Sequence, residues 1–249
     1  MTLDLFTVGL GYSARYAIER MGAKVGTVCA TVRGDDKADR LRARGIEPVF
    51  FDGSAPSTGV AEALARSTHL IVSAGPEEAG DPLLLHHAGD VERAIRAGRL
   101  KSIVYLSTIG VYGDTGGAWI DETAPCTPER GRSQWRVKAE ADWLALGLRA
   151  GAPVGVLRLG GIYGPARNPF VNLEKGQARL VNKPGQVFNR IHVADIAGAI
   201  EAAIERGFHG PVNVVDGDPT PPQDPIRFAA SLMGVEPPVE EPYDPASMS

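Results

Sequence analysis

Short apolar runs alternate with stretches whose hydrophobic residues recur every three or four positions, and this rhythm holds for roughly the first 160 residues. Residues 3–8, 25–32, 47–51, 69–73, 102–107 and 154–159 are nearly continuous in apolar side chains. That is the pattern of parallel strands covered on both faces rather than of half-exposed ones. Residues 13–21, 37–44, 58–66, 82–97 and 133–150 carry helical periodicity between them. Right-handed crossovers at each strand–helix–strand step predict an α/β fold with a doubly wound parallel sheet. After residue 160 the rhythm changes: Gly, Pro and Asn become frequent and the strands short. Within a single domain spanning residues 1–249, residues 160–235 are expected to form a small lobe over the strand ends, where open α/β sheets hold ligands. Residues 238–249, rich in Pro, Glu and Ser, are expected to fray.

Composition narrows the setting. With 249 residues, 43% hydrophobic and 22% charged, the chain can bury one large core. A formal net charge of −4 speaks against a surface built for nucleic acid or an anionic membrane. Cys29 and Cys126 are too few for a disulfide framework or a zinc cluster, and no apolar run approaches the roughly 20 residues that span a bilayer. Asp4 and Arg15 follow Met1 too closely for a secretory leader. A cytoplasmic protein without metal is the resulting expectation.

The first strand runs directly into Gly9-Leu10-Gly11-Tyr12-Ser13-Ala14, which in turn opens a helix. Gly9 permits a tight turn, Gly11 lets the backbone approach a pyrophosphate without a Cβ in the way, and Ala14 allows close helix–strand packing. The helix N–H groups, with Tyr12 and Ser13 at the turn, then face the phosphates. This is the arrangement that binds a nicotinamide dinucleotide. The second strand ends at Arg33, the place where an acid bonds the ribose 2′-OH of NAD or an arginine accommodates the 2′-phosphate of NADP. Arg33 favours NADP, with NAD the alternative. A solvated loop charge is the competing role for Arg33, and Asp35 and Asp36 suit a helix cap. Asp52 and Gly53 after the third strand are expected at the adenine, and Ala74, Gly75 and Pro76 after the fourth along the cofactor.

Several longer strings resemble the extended, epimerase/dehydratase-like branch of the short-chain dehydrogenase/reductase superfamily. They are Tyr105-Leu106-Ser107-Thr108-Ile109-Gly110-Val111-Tyr112-Gly113, Leu157-Arg158-Leu159-Gly160-Gly161-Ile162-Tyr163-Gly164-Pro165, and Arg190-Ile191-His192-Val193-Ala194-Asp195. The short segment Asn213-Val214-Val215-Asp216 echoes a later strand of that branch, and the likeness runs in order from residue 3 to about 235. The resemblance implies that Thr108 orients a reacting carbonyl or alcohol, and that Lys138 holds the nicotinamide ribose. It places Gly160, Gly161 and Ile162 beside the cofactor. A catalytic Tyr would stand four residues before Lys138, but that position holds Gln134, which has no titratable proton for general acid–base work. Tyr112, Tyr163 and His192 are the substitutes within reach, each with packing or capping as its competing role. Arg190 is expected to grip an anionic substrate, whereas Arg158 suits pairing with a neighbouring acid.

The resemblance thus implies an NAD(P)-dependent oxidoreductase or epimerase-like enzyme with an altered active site. Its substrate would be small and polar, phosphorylated or nucleotide-linked. The alternative is a non-catalytic NADP-binding sensor or scaffold, and either is compatible with a monomer or homodimer. His86 and His87 are read as solvated helix surface, and Trp119, Trp135 and Trp143 as packing. The stripe Val137, Ala141, Leu144 and Leu148 is assigned to burial against the sheet or to a dimer face.

Overall fold

The computed structural model describes residues 2–129 and 131–243. Six strands fall where the apolar runs place them: β1 (Leu3–Val8), β2 (Val25–Val32), β3 (Glu47–Phe50), β4 (His69–Val72), β5 (Ser102–Thr108) and β6 (Val154–Leu159). The helices between them are α1 (Tyr12–Met21), α2 (Asp35–Arg42), α3 (Thr58–Arg66), α4 (Pro82–Arg96) and α5 (Arg132–Ala150). Beyond β6 come β7 (Gly161–Tyr163), α6 (Pro169–Glu174), β8 (Leu180–Asn182), β9 (Arg190–His192), α7 (Val193–Arg206), β10 (Gly210–Val214), α8 (Asp224–Met233) and β11 (Glu240–Pro242).

The main sheet has seven strands in the order β10-β6-β5-β4-β1-β2-β3, and every neighbouring pair is parallel. Successive side chains of a strand point to opposite faces, so each strand feeds two cores. Phe6, Val8, Leu70, Val72 and Tyr105 pack with α3, α4 and α5, while Leu5, Ile71, Val104 and Leu157 pack with α1, α2 and α7. This is the Rossmann-type doubly wound architecture expected from the pattern.

Local chemistry sets the helix ends. Asp81 caps α4, its Oδ1 accepting from the Leu83 and Leu84 N–H groups ahead of Pro82. Gly151 closes α5 in the left-handed conformation. α2 begins two residues before the expected start because Asp35 and Asp36 occupy its first turn, where the helix dipole favours acids.

Three expectations change. β10 and α7, from the stretch assigned to a small lobe, belong to the main sheet and its covering layer. Glu240–Pro242 does not fray but pairs with β8, and residues 244–249 of the same stretch lie outside the described residues. Trp143 is buried as expected, but Trp119 is 80% exposed, on the long surface connection between β5 and α5.

Candidate functional site

All strands of the main sheet end on one edge, and the chain leaves β1 towards β2 on one side and reaches β4 on the other. That divergence opens a crevice at the carboxyl ends of the strands. A cavity of about 330 Å³ lies there, bounded by Gly9, Arg33, Lys37, Asp52, Gly53 and Gly75 among others.

The turn after β1 is held from both sides. The Gly9 N–H donates to Thr31 Oγ1 (2.7 Å) and the Ser73 hydroxyl donates to Gly9 O (2.6 Å). Gly9 adopts φ +77°, and a Cβ there would stand 3.2 Å from Ala74 N, so only glycine fits without strain. Gly11 precedes α1 with no side-chain cap, and a Cβ on it would meet nothing within 4 Å. The first N–H groups of α1 therefore face open space over a backbone without side-chain cover, which fits a phosphate-bearing ligand. Ser13 is buried within the turn, and the Tyr12 hydroxyl donates to Pro165 O (2.8 Å), tying the turn to the segment after β7.

At the β2–β3 end, Arg33 meets Lys37 on the cavity wall. Among the described residues neither cation has a carboxylate within ion-pair distance. Lys37 is not among the site residues expected from the sequence, although it falls in the first turn of α2, directly after the strand end that carries Arg33. Asp52 is anchored by Ser54: its Oδ1 accepts from the Ser54 N–H (2.9 Å) and hydroxyl (2.7 Å). These bonds, and then the Arg33 charge, hold its carboxyl below the usual carboxylate range.

The loop carrying Asp52 and Gly53 is clamped from α4. His86 Nε2 meets Gly53 O at 2.9 Å, and the Ser57 N–H donates to His87 Nε2 (3.0 Å) while His87 Nδ1 faces Asp90 (2.8 Å). The histidine pair is therefore not solvated surface, since His87 is only 2% exposed. It falls on the inward line Leu83, His87, Val91 and Ala94 at helical spacing.

At the β5–β6 end, Thr108 Oγ1 accepts from the Gly110 N–H (3.1 Å). The Ser133 and Thr108 hydroxyls both flank Gly110, where a Cβ would lie 3.2 Å from Ser133 Oγ and 3.4 Å from Thr108 Oγ1. Gln134 turns away, its amide donating to Glu129 O (3.1 Å) and Pro128 O. Lys138 is not brought to the site. Its side chain is 61% exposed and pairs with Asp142 one turn on (2.6 Å). The inner face of α5 is instead Arg136, Ala139, Glu140, Trp143 and Leu146. The stripe read from Val137 to Leu148 is about 100° out of phase with it, and Leu148 is 80% exposed.

Tyr112 is only 4% exposed and is fully engaged, donating to Asn213 Oδ1 (2.8 Å) and accepting from Arg158 (2.8 Å). Arg158 pairs with Glu140 (2.8 Å), which also accepts from the Ser107 hydroxyl. Arg158 is therefore paired to an acid as expected, and Tyr112 has no free role at a substrate. Arg190 is likewise occupied: it donates to Phe188 O (3.0 Å) and Thr220 Oγ1 (2.8 Å) and lies over the Phe188 ring. Desolvation lowers its affinity for its proton. His192 caps α7 through Nδ1, which accepts from the Ala194 N–H (3.2 Å). Its ring meets that of Tyr163 edge-on at 5.2 Å, and burial, then Asp216 and Asp195, push the Tyr163 phenol up. Gly160 and Gly161 make room for the 188–190 segment, with Gly161 N–H donating to Asn189 O (2.9 Å) and Ile162 pairing with Ile191. Pro76 lies on the β4–α4 connection. Among the described residues no group of three or more His, Cys, Asp and Glu side chains is placed to hold a metal ion, and no helix is long and apolar enough to cross a membrane.

Fold and crevice together define a Rossmann-type α/β protein whose candidate site lies at the carboxyl ends of its parallel strands. No protein-family model matches the chain. It belongs to one family with a functionally unknown conserved protein of Silicibacter pomeroyi DSS, with which it shares 42% identity at a TM-score of 0.86, over 100% of this chain and 84% of that one. It is 26% identical over 241 residues to protein YeeZ of Escherichia coli K12, covering 93% of this chain and 84% of YeeZ. A dTDP-glucose 4,6-dehydratase from Bacillus anthracis, solved in complex with NAD, has the same fold: TM-score 0.76 at 18% identity, covering 97% of this chain and 84% of that one.

Proposed function

We propose that the crevice binds a nicotinamide dinucleotide, NADP in preference to NAD, and that the protein is a cytoplasmic oxidoreductase or epimerase-like enzyme of atypical short-chain dehydrogenase type. The observation that carries this reading is the cavity beside the glycine turn, with Arg33 and Lys37 on its wall and no ion-pair partner for either among the described residues. Gly9 to Ser13 would hold the pyrophosphate against the N-terminus of α1. Arg33 and Lys37 would flank a ribose 2′-phosphate, where charge-assisted bonds are strongest, and Asp52 would meet the adenine. The bound nicotinamide supplies hydride chemistry. The Thr108 and Ser133 hydroxyls would orient the oxygen of a small polar or nucleotide-linked substrate, a class supported by the dTDP-glucose dehydratase likeness.

Titration of the protein with NADPH and NADH by cofactor fluorescence tests the reading. NADPH is expected to bind at least tenfold more tightly than NADH, and Arg33→Ala and Lys37→Ala to narrow that gap, since each charged hydrogen bond contributes about 1.5–3 kcal/mol. Equal affinities in the wild type would sink the NADP preference.

A non-catalytic sensor or scaffold is the second reading, and the placement of Gln134 favours it. At the start of α5, Ser133 and Thr108 both flank Gly110, and the Gln134 amide is bonded to the preceding loop at Glu129 O. This reading expects NADPH binding without turnover across a panel of sugars, alcohols and nucleotide sugars. Turnover abolished by Thr108→Ala would refute it.

A further inference from the structure

We infer that Arg136, and not Lys138, is the cation that α5 contributes to the bound dinucleotide, on the nucleoside half away from Arg33. The inference rests on the reading of the crevice as a dinucleotide site. Three observations carry it.

The first is position. Arg136 Nη2 comes within 3.1 Å of where a Cβ would stand on Gly75, at the end of β4 on the cavity wall. A side chain at residue 75 would press on the Arg136 guanidinium, so glycine there leaves that cation its place beside the cavity wall. The second is incomplete use. Arg136 donates through Nη1 to Leu106 O (2.7 Å), yet among the described residues no carboxylate lies within ion-pair distance of it. Asp81, whose carboxyl is raised by burial in spite of the nearby Arg136 charge, binds Trp143 and the α4 backbone instead. A part-buried guanidinium with donors to spare is costly unless a ligand completes it. The third is spacing along the edge. With the glycine turn of β1 at the centre, Arg33 ends β2 on one side, while Gly75, Arg136 and Thr108 gather at β4 and β5 on the other. From β2 to β5 is three strand intervals, about 14 Å, so a pyrophosphate on the central turn sends one nucleoside to each end.

Arg136 also differs in kind from a lysine. Its planar fork spans two hydroxyls or a hydroxyl and a carbonyl at once. The ligand is thus held by the guanidinium on the inner face of α5, and the outer-face Lys138 has no part in it.

The test compares full-length wild type, Arg136→Ala and Lys138→Ala by calorimetric titration with NADPH and with 2′,5′-ADP, which carries only the adenosine half. The expected result is that Arg136→Ala weakens NADPH about tenfold or more and changes 2′,5′-ADP less than twofold, while Lys138→Ala leaves both unchanged. Arg136→Lys should recover part of the loss. Arg136→Ala binding NADPH as the wild type does, losing both ligands alike, or being matched by Lys138→Ala overturns the inference. A wild type that binds neither ligand overturns the dinucleotide reading itself. Should Arg136→Ala fail to fold, Arg136→Gln, which keeps a donor for Leu106 O, serves the same comparison.

Discussion

At the scale of single residues, the buried ion pair of Arg158 and Glu140 separates scaffold from site. Both side chains are under a tenth exposed, and they join β6 to α5 while Ser107 donates to Glu140 and Tyr112 accepts from Arg158. Removing one partner strands a buried charge, which costs about 3–5 kcal/mol, whereas replacing both with apolar residues of similar volume is often neutral. Glu140→Ala is therefore expected to lower stability in urea unfolding by about that amount, and Glu140→Leu with Arg158→Met to recover most of it. A double variant as unstable as the single one would mean that the pair itself, rather than the stranded charge, holds β6 to α5. Tyr112→Phe should behave as a packing variant that loses about 1–2 kcal/mol of stability for its missing hydrogen bonds. NADPH affinity should stay as in the wild type, because its hydroxyl faces Asn213 and not the crevice.

At the scale of elements, α4 and α5 are coupled through one carboxylate. Asp81 caps α4 and accepts from the indole of Trp143 on α5 (3.1 Å). Burial outweighs these bonds and raises the carboxyl above its usual range. The folded state therefore holds that proton more tightly than the unfolded chain does, and stability falls as pH rises from the unfolded carboxylate range through the raised value. Asp81→Asn removes this titration, so its stability relative to wild type should improve from about pH 4 upward, as read by thermal unfolding at stepped pH. A difference that stays flat with pH would remove Asp81 as the source. Strands and helices up to β6 were legible because parallel strands buried on both faces leave continuous apolar runs. The facing of α5 was not. Its inner side carries Arg136 and Glu140 beside Trp143, so a search for apolar stripes selects the adjacent line that ends at the exposed Leu148, while the expected place of Lys138 comes from the family resemblance rather than from periodicity. His87 was misread for the same reason, as a polar residue on a core line. β8 and β11 were hidden because three-residue strands paired far apart in sequence, Leu180 with Glu240, leave no local period.

At the scale of the whole molecule, the crevice is where the two halves of the chain meet. The turn after β1 is tied to the segment after β7 by Tyr12 and Pro165, and α1 packs along α7 with Arg20 and Lys24 reaching Glu201. A ligand lying on the glycine turn and spanning β2 to β5 would touch four strand ends at once, so its binding energy would stabilise the fold as a unit. At a concentration one hundred times its dissociation constant a ligand adds about 2.7 kcal/mol. For a chain of this size that raises the melting temperature by roughly 5–10 °C. Saturating NADPH is expected to produce a rise of this size, and NADH at the same concentration a smaller one. Arg33→Ala with Lys37→Ala should bring the NADPH response down to that of NADH. Arg136→Ala should lower both responses together, because the half of the ligand it would hold is common to the two cofactors. Thermal unfolding of the three proteins with each cofactor thus reads the two ends of the crevice separately. A loss confined to NADPH in Arg136→Ala would show that the two cations at Arg33 and Lys37 do not act alone on the 2′-phosphate.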